Sequence, residues 1–423
     1  MDTSVQKATK IRGTLRVPGD KSIAHRALIL GALARGKQVI EGIPRAEDVG
    51  RTASCLRTLG CFVEEMPDGQ VLTISKRWIT GQNLDAGNSA TAARLLLGLA
   101  AGKGLDCIID GDESLRKRPM SRVVEPLRQM GADIHLTGGD HLPLQITRKK
   151  LSGITYRMPM PSAQVKSAVL IAGLSADGDT TVIEEQPSRD HTENLLEAME
   201  ATISRDEGTV TVTGGSSLKG IYVTVPADIS SALFFITAAV CLSDSEIYFI
   251  HTGVNPTRTG AIKVLQEMGA DISIENVDTE AGEPAGDIIA RSSSLHGIDI
   301  DPALVPTLID ELPILAVAAT QAEGVTTVRG AGELRHKESD RIRAIVQNLS
   351  LLGAKVTELE DGFSVMGPCS LKGRAVSSFG DHRIAMASSI AGLFAEGTTR
   401  IENSDVVGVS YPDFYRDLIT LAA

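Results

Sequence analysis

Aromatic residues are scarce. Phe, Tyr and Trp make up 3% of the chain, with one tryptophan, Trp78. That scarcity argues against the stacking platforms that hold single-stranded nucleic acid. Positive charge is also in deficit: 42 Lys and Arg against 53 Asp and Glu leave a formal net charge of -11. Such a chain repels a phosphate backbone, so no nucleic-acid partner is expected. Cysteine is rare, and Cys55, Cys61, Cys107, Cys241 and Cys369 form no CxxC pair and no metal-ligand pattern with histidine. Buried free thiols in a reducing compartment are expected. No apolar run reads as membrane-spanning, and Met1 to Lys10 holds no apolar signal core. A cytoplasmic protein without a membrane partner follows as the expectation. At 423 residues the chain exceeds one ordinary core, so two or more domains are expected.

What the chain has is a recurring arrangement of polar, often cationic clusters at the starts of apolar, helix-like segments. Pro18-Gly19-Asp20-Lys21-Ser22-Ile23-Ala24-His25-Arg26 runs into Ala27 to Leu33. Gly87-Asn88-Ser89-Ala90-Thr91, Lys117-Arg118-Pro119, Ser162-Ala163-Gln164, Lys337-Glu338-Ser339-Asp340-Arg341 and Gly380-Asp381-His382-Arg383 repeat the pattern. A helix start offers unpaired N–H groups and the positive end of the macrodipole. Cations placed there make an anion site. Several in one acidic chain imply small, multiply anionic substrates.

A second regularity is a repeat. Leu59-Gly60-Cys61-Phe62-Val63 returns as Met130-Gly131-Ala132-Asp133-Ile134, Met199-Glu200-Ala201-Thr202-Ile203, Met268-Gly269-Ala270-Asp271-Ile272 and Leu352-Gly353-Ala354-Lys355-Val356. The glycine positions, with Glu200 counted as equivalent, are 71, 69, 69 and 84 residues apart by subtraction. Each copy follows an amphipathic helix pattern and precedes an alternating strand pattern, with Gly as the C-cap between them. A repeated αβ unit of about 70 residues is expected, each needing neighbours to bury its apolar face. Five copies leave room for a sixth, split between the chain ends.

Each cluster taken alone admits a plainer reading. Gly19-Asp20-Lys21-Ser22 lacks the earlier glycine of a phosphate-binding loop, which excludes that motif. Asp20 or Ser22 caps the helix there, and Ser22 and Arg26 share a face. Solvated cations on a capped surface helix account for it equally well. Arg118 before Pro119 suits carboxylate or phosphate recognition, Pro119 being a good first helical residue; a basic surface turn also fits. Ser162 and Gln164 serve an oxyanion or an ordinary cap. Asp310-Glu311 favours a helix start by dipole alone, and a carboxylate among cations also acts as a general base. Lys337 and Arg341 are i, i+4 with Glu338 between them, which suits an anion with a proton-transfer group beside it as well as a solvated charge run. His382 beside Asp381 is given a structural or orienting role.

Together, in their order and number, these segments resemble the EPSP synthase (3-phosphoshikimate 1-carboxyvinyltransferase) family over about Pro18 to Pro412. Further segments carrying the resemblance are Ser162-Ala163-Gln164-Val165-Lys166-Ser167-Ala168, Asp310-Glu311-Leu312-Pro313-Ile314-Leu315 and Arg189-Asp190-His191-Thr192. The last looks like the bacterial branch often called class II. The resemblance implies an α/β fold of two similar domains, each of three βαβαββ units, an inside-out α/β barrel. Residues 18–225 would form one domain and 1–17 with 226–423 the other, with substrates bound in a cleft that closes. The implied reaction moves the enolpyruvyl group of phosphoenolpyruvate to the 5-hydroxyl of shikimate 3-phosphate, in the shikimate pathway to chorismate and aromatic amino acids.

By the same resemblance Ser22, Arg26, Ser162, Ala163, Gln164, Arg189, Asp310 and Lys337 contact shikimate 3-phosphate. Lys21, Asn88, Arg118, Gln164, Arg341 and Arg383 contact phosphoenolpyruvate. Asp310 is the implied base, and Glu338 or Lys21 the acid. No metal or organic cofactor is implied, and a monomer is expected. Two departures stand out. Many members have Gly where this chain has Ala90, whose methyl would crowd the phosphoenolpyruvate pocket and hinder the longer inhibitor glyphosate more. Val409-Ser410-Tyr411-Pro412 lacks the Lys some members place there. The alternatives are the sister transferase acting on UDP-N-acetylglucosamine and a non-catalytic anion-binding homologue.

Overall fold

The computed structural model describes residues 1–422. The chain forms two compact units. The inserted unit is Gly19–Pro226 with Thr279–Glu283; the flanking unit is Met1–Pro18, Ala227–Asp278 and the chain from Pro284 onward. The sequence placed the crossings near Val17 and Val225 and gave no sign that Thr279–Glu283 belongs with the inserted unit. There, Glu283 Oε1 accepts from Asn194 Nδ2 at 3.1 Å and lies 2.9 Å from His191 Nδ1.

The inserted unit contains three four-stranded sheets of one plan. In the second, Gln82–Asp85 runs parallel to Cys107–Asp110, which pairs antiparallel with Leu144–Thr147, and that strand with Asp133–Leu136. Helices Ala90–Lys103 and Ser121–Gln129 fall between the first three strands in chain order, giving βαβαββ. Thr155–Arg157 opens the third sheet in the same way. The first sheet borrows its opening strand, Tyr222–Thr224, from the far end of the unit, where it runs parallel to Lys37–Glu41. The flanking unit repeats the plan in its first sheet, with Arg12–Leu15 parallel to Glu246–Gly253, whereas its other two sheets have three strands each. Its last sheet pairs Thr3–Gln6 antiparallel with Thr398–Glu402, so the sixth repeat is indeed assembled from both chain ends.

The five motif glycine positions behave alike. Gly60, Gly131, Gly269 and Gly353 have φ of 92°, 102°, 101° and 92°, and Glu200 has 63°. All lie in the left-handed region that turns a helix into the next strand, which favours glycine at this position.

In each repeat the first helix is apolar nearly all round and buried, as expected of a helix with no water-facing side. Lys21–Leu33, Ala90–Lys103 and Ala163–Gly173 form the middle of the inserted unit's core. Ile229–Cys241, Leu312–Ala319 and His382–Phe394 do so in the flanking unit. Strands such as Leu144–Thr147 and Thr209–Val212 alternate buried and more exposed residues, one face on the helices. Gly98 lets two central helices touch: a Cβ there would stand 2.4 Å from the carbonyl oxygen of Ala168.

Three readings need correction. Pro302–Ala319 is, by length and composition, apolar enough to cross a membrane, contrary to the sequence reading. It is broken into short helical turns before Leu312–Ala319, whose residues are all buried. Pro119 lies before its helix, which begins at Ser121. Lys337 lies outside the helix Arg341–Leu351, which Asp340 caps, so Lys337 and Arg341 do not share a helix face. The cysteines form no disulfide. Cys55, Cys61 and Cys107 are buried, whereas Cys241 and Cys369 are only partly so. Burial pushes the Cys55, Cys61 and Cys107 thiols up to about 12.

Candidate active site

In the inserted unit most of the site candidates gather at the starts of the three central helices, while Arg118 and Arg189 lie ahead of the helices Ser121–Gln129 and His191–Ala198. Asp20 caps the first: its Oδ1 accepts from the N–H groups of Ser22 and Ile23 at 2.7 and 3.0 Å. Lys21, the first helical residue, donates from Nζ to Asp48 at 3.0 Å. Ser89 caps the second helix, placing Ala90 at its first position. Ser162 caps the third, followed by Ala163 and Gln164.

Side chains lace these starts together. Gln164 accepts from Arg94 Nη1 at 2.5 Å and donates to Thr91 Oγ1 at 2.9 Å. Arg26 is buried, and burial pushes its guanidinium down to about 10, with Glu193 opposing that and Arg189 adding to it. It donates to Thr192 Oγ1 and Ser167 Oγ at 2.8 and 2.9 Å, and to the carbonyl of Ser22 at 2.8 Å. Arg26 therefore holds two helix starts in place with these donors. Arg118 Nη2 donates to Asn88 Oδ1 at 2.9 Å, while Asn88 Nδ2 donates to Asp112 at 2.8 Å. Arg189 is half-buried, one residue past Ser188.

A set missed in the sequence lies behind this layer. Lys166 Nζ sits 2.6 Å from both Glu184 and Glu193, all three side chains being at least 95% buried. Burial alone would lower the Lys166 ammonium, but the two carboxylates outweigh it and hold it raised. Ser188 donates to Glu184 at 2.5 Å, so the set also ties down the loop that carries Arg189. The only sequence signal was a lysine inside an apolar helix.

In the flanking unit the hub is Arg341, 1% exposed. Its Nε donates to Asp381 at 2.8 Å, Nη1 to Asp310 Oδ1 at 3.1 Å and Nη2 to Glu338 at 2.5 Å. Burial alone would lower this guanidinium, yet Asp381, Glu338 and Asp310 outweigh it and hold it raised. Lys337 Nζ lies 3.7 Å from Asp310 Oδ1, and Arg383 Nη2 lies 3.9 Å from Asp310 Oδ2. Asp310 is thus a half-buried carboxylate facing three cations. Asp381 caps the helix that begins at His382, accepting from the N–H of Arg383 at 2.9 Å. His382 is buried at that helix start, and its neighbour Asp381 faces Arg341.

The two units treat their central helix starts differently. Two of the three caps in the inserted unit are neutral hydroxyls, Ser89 and Ser162, leaving the dipoles available to an external anion. The flanking unit places Asp228, Glu311 and Asp381 at these positions, each facing a buried arginine: Arg258, Arg383 and Arg341. One unit presents dipoles and cations, the other cations beside carboxylates able to carry protons. Anion capture with acid–base chemistry is what these groups are equipped to do.

This architecture is that of the enolpyruvyl transferases. The enolpyruvyl transferase NikO from Streptomyces tendae superposes with a TM-score of 0.81 at 20% identity, covering 99% of this chain and 97% of that one. The chain belongs to the EPSP synthase family, whose model, described as EPSP synthase (3-phosphoshikimate 1-carboxyvinyltransferase), matches residues 5–418. A 3-phosphoshikimate 1-carboxyvinyltransferase from Brevibacillus brevis is 47% identical over 423 residues, 99% of each chain. The solved EPSP synthase from Acinetobacter baumannii has a TM-score of 0.90 at 39% identity, covering 99% of this chain and 98% of that one.

Proposed function

We propose that this enzyme transfers the enolpyruvyl group of phosphoenolpyruvate to the 5-hydroxyl of shikimate 3-phosphate, releasing phosphate. The observation that carries the reading is Asp310 facing Arg341, Lys337 and Arg383, a base held among anion-binding groups in a chain of this family. Asp310 takes the hydroxyl proton as the oxygen attacks C2 of phosphoenolpyruvate. Glu338 or Lys21 gives a proton to C3, forming a tetrahedral intermediate. That intermediate loses a C3 proton and its C2–O bond to phosphate, regenerating the enol ether. Ser22, Arg26, Ser162, Ala163, Gln164, Arg189 and Lys337 hold shikimate 3-phosphate. Lys21, Asn88, Arg118, Arg341 and Arg383 hold phosphoenolpyruvate beside Ala90, and their charge stabilises the anionic groups as the intermediate forms and breaks. The free thiols support a cytoplasmic site of action, and the protein is proposed to act as a monomer.

Phosphate release from phosphoenolpyruvate tests the reading, with shikimate 3-phosphate, with UDP-N-acetylglucosamine, and with neither. Release only with shikimate 3-phosphate, and a product heavier by one enolpyruvyl group, is expected. Release only with the nucleotide sugar would transfer the assignment to the sister reaction. An Asp310→Asn variant should lose about two or more orders of magnitude in kcat, as expected for loss of a general base; near-normal turnover removes Asp310 from that role.

A further inference from the structure

Glu311 follows Asp310 and stands at the N-cap position of Leu312–Ala319. A helix dipole explains an acid there, but this side chain caps no backbone N–H. It is 1% exposed and turned toward Arg383. Its Oε1 accepts from Arg383 Nη1 at 3.3 Å and from the hydroxyl of Ser230. Ser230 Oγ in turn accepts from Arg258 Nη2 at 2.5 Å, and the same nitrogen lies 3.3 Å from Asp228 Oδ1. Asp228, Arg258, Ser230, Glu311 and Arg383 thus form one buried chain of alternating charge. The second oxygen, Glu311 Oε2, is buried with no hydrogen-bond partner among the described residues. A half-satisfied buried carboxylate is a poor way to gain stability, since an apolar side chain of similar size avoids its desolvation.

Arg383 shows what that cost achieves. Its Nη1 is fixed between Glu311 Oε1 and the carbonyl of Asp310, 3.0 Å away. Its Nη2 stays 3.9 Å from Asp310 Oδ2, outside hydrogen-bond distance. The guanidinium is anchored by one nitrogen and leaves the other aimed near the proposed base.

We propose that Glu311 is a positioning residue for the transfer: it pins Arg383 so that the guanidinium meets the anionic groups of phosphoenolpyruvate in a fixed orientation. This rests on the reading of Arg383 as a phosphoenolpyruvate ligand. The test is steady-state kinetics with each substrate varied separately, on wild type, Glu311→Gln, Glu311→Asp, Ser230→Ala and Arg383→Lys, with circular dichroism to establish folding. Glu311→Gln should raise KM for phosphoenolpyruvate about tenfold, as second-layer partners of ligand-binding groups do, and leave KM for shikimate 3-phosphate within about twofold. Glu311→Asp should recover part of the loss. A folded Glu311→Gln enzyme with unchanged KM for phosphoenolpyruvate, or with both KM values raised alike, overturns the proposal. If Glu311→Gln does not fold, Ser230→Ala decides, because it removes the hydroxyl that Glu311 and Arg258 share and leaves both charged side chains in place: a selective rise supports the proposal and no rise overturns it. Arg383→Lys separates the two levels. Unchanged phosphoenolpyruvate kinetics there defeats the ligand assignment itself. A raised KM in Arg383→Lys beside wild-type behaviour in the Glu311 variants defeats only the pinning.

Discussion

Glu200 occupies the one motif position among five where a side chain is forced into the left-handed region, at φ 63°. Its ion pair with Lys219 is exposed on both sides, so it offsets little of that strain. A Glu200→Gly variant should gain about 1 kcal/mol, the left-handed penalty less the added freedom of glycine when unfolded. Trp78, in the same unit, reports this as a higher denaturant midpoint by fluorescence. Ala90 lends itself to a second test. It is 7% exposed at the first turn of its helix, beside Asn88. If its methyl crowds glyphosate more than phosphoenolpyruvate, Ala90→Gly should strengthen competitive inhibition about tenfold, the scale of one methyl in a pocket. Inhibition that is already potent and unchanged by the substitution would refute the idea. Local signals made residues of this sort legible: Asp20, Ser89, Ser162 and Asp381 cap helices as short-range rules say. Glu311 was only half legible, because its acid at a helix start was visible and its turn toward Arg383 was not.

At the scale of elements, the joints between helices carry a pH dependence. His25, on the first central helix, is buried and hydrogen-bonds Thr52 of the neighbouring helix Glu47–Thr58. Burial pushes its imidazole from the ordinary 6.5 down to about 4, with Asp48 opposing. The unfolded chain therefore binds a proton between about pH 6.5 and 4 that the folded chain refuses, so stability falls as pH drops through that window. Between pH 7 and 5 the loss from this group is about 2 kcal/mol. Trp78 fluorescence in denaturant at the two pH values measures it, and His25→Gln should flatten the difference; an equal slope in both proteins counts against His25 as the source. Such joints are illegible in sequence. His25 with Thr52, Arg26 with Thr192, and Lys166 with Glu184 and Glu193 join segments whose proximity only the packed repeat creates. The same ignorance put Pro119 and Lys337 inside helices that begin later.

For the whole molecule, the spacing of one glycine motif revealed the repeat, because five of the six repeats end their second helix in the same tight turn. It did not reveal which strand opens the first sheet of the inserted unit, Tyr222–Thr224, since that pairing spans the unit from end to end. Nor did it show where the scarce aromatics go: Phe234, Phe235, Tyr411, Phe414 and Tyr415 meet in one cluster at the last helix of the flanking unit. Removing residues 1–6 tests the split repeat. Val5 is 6% exposed in the strand beside Thr399, and losing its burial alone costs about 2 kcal/mol. A fall of about 5 °C in the thermal midpoint by circular dichroism is expected; no shift would mean the strand contributes nothing. The split has a consequence in time as well. Gln6 and its partner Thr398 are 392 residues apart, so on a ribosome the first strand waits roughly 20–80 s for its mate at ordinary elongation rates. Throughout that wait a newborn chain displays an unmated strand, which a chaperone or another nascent chain can seize.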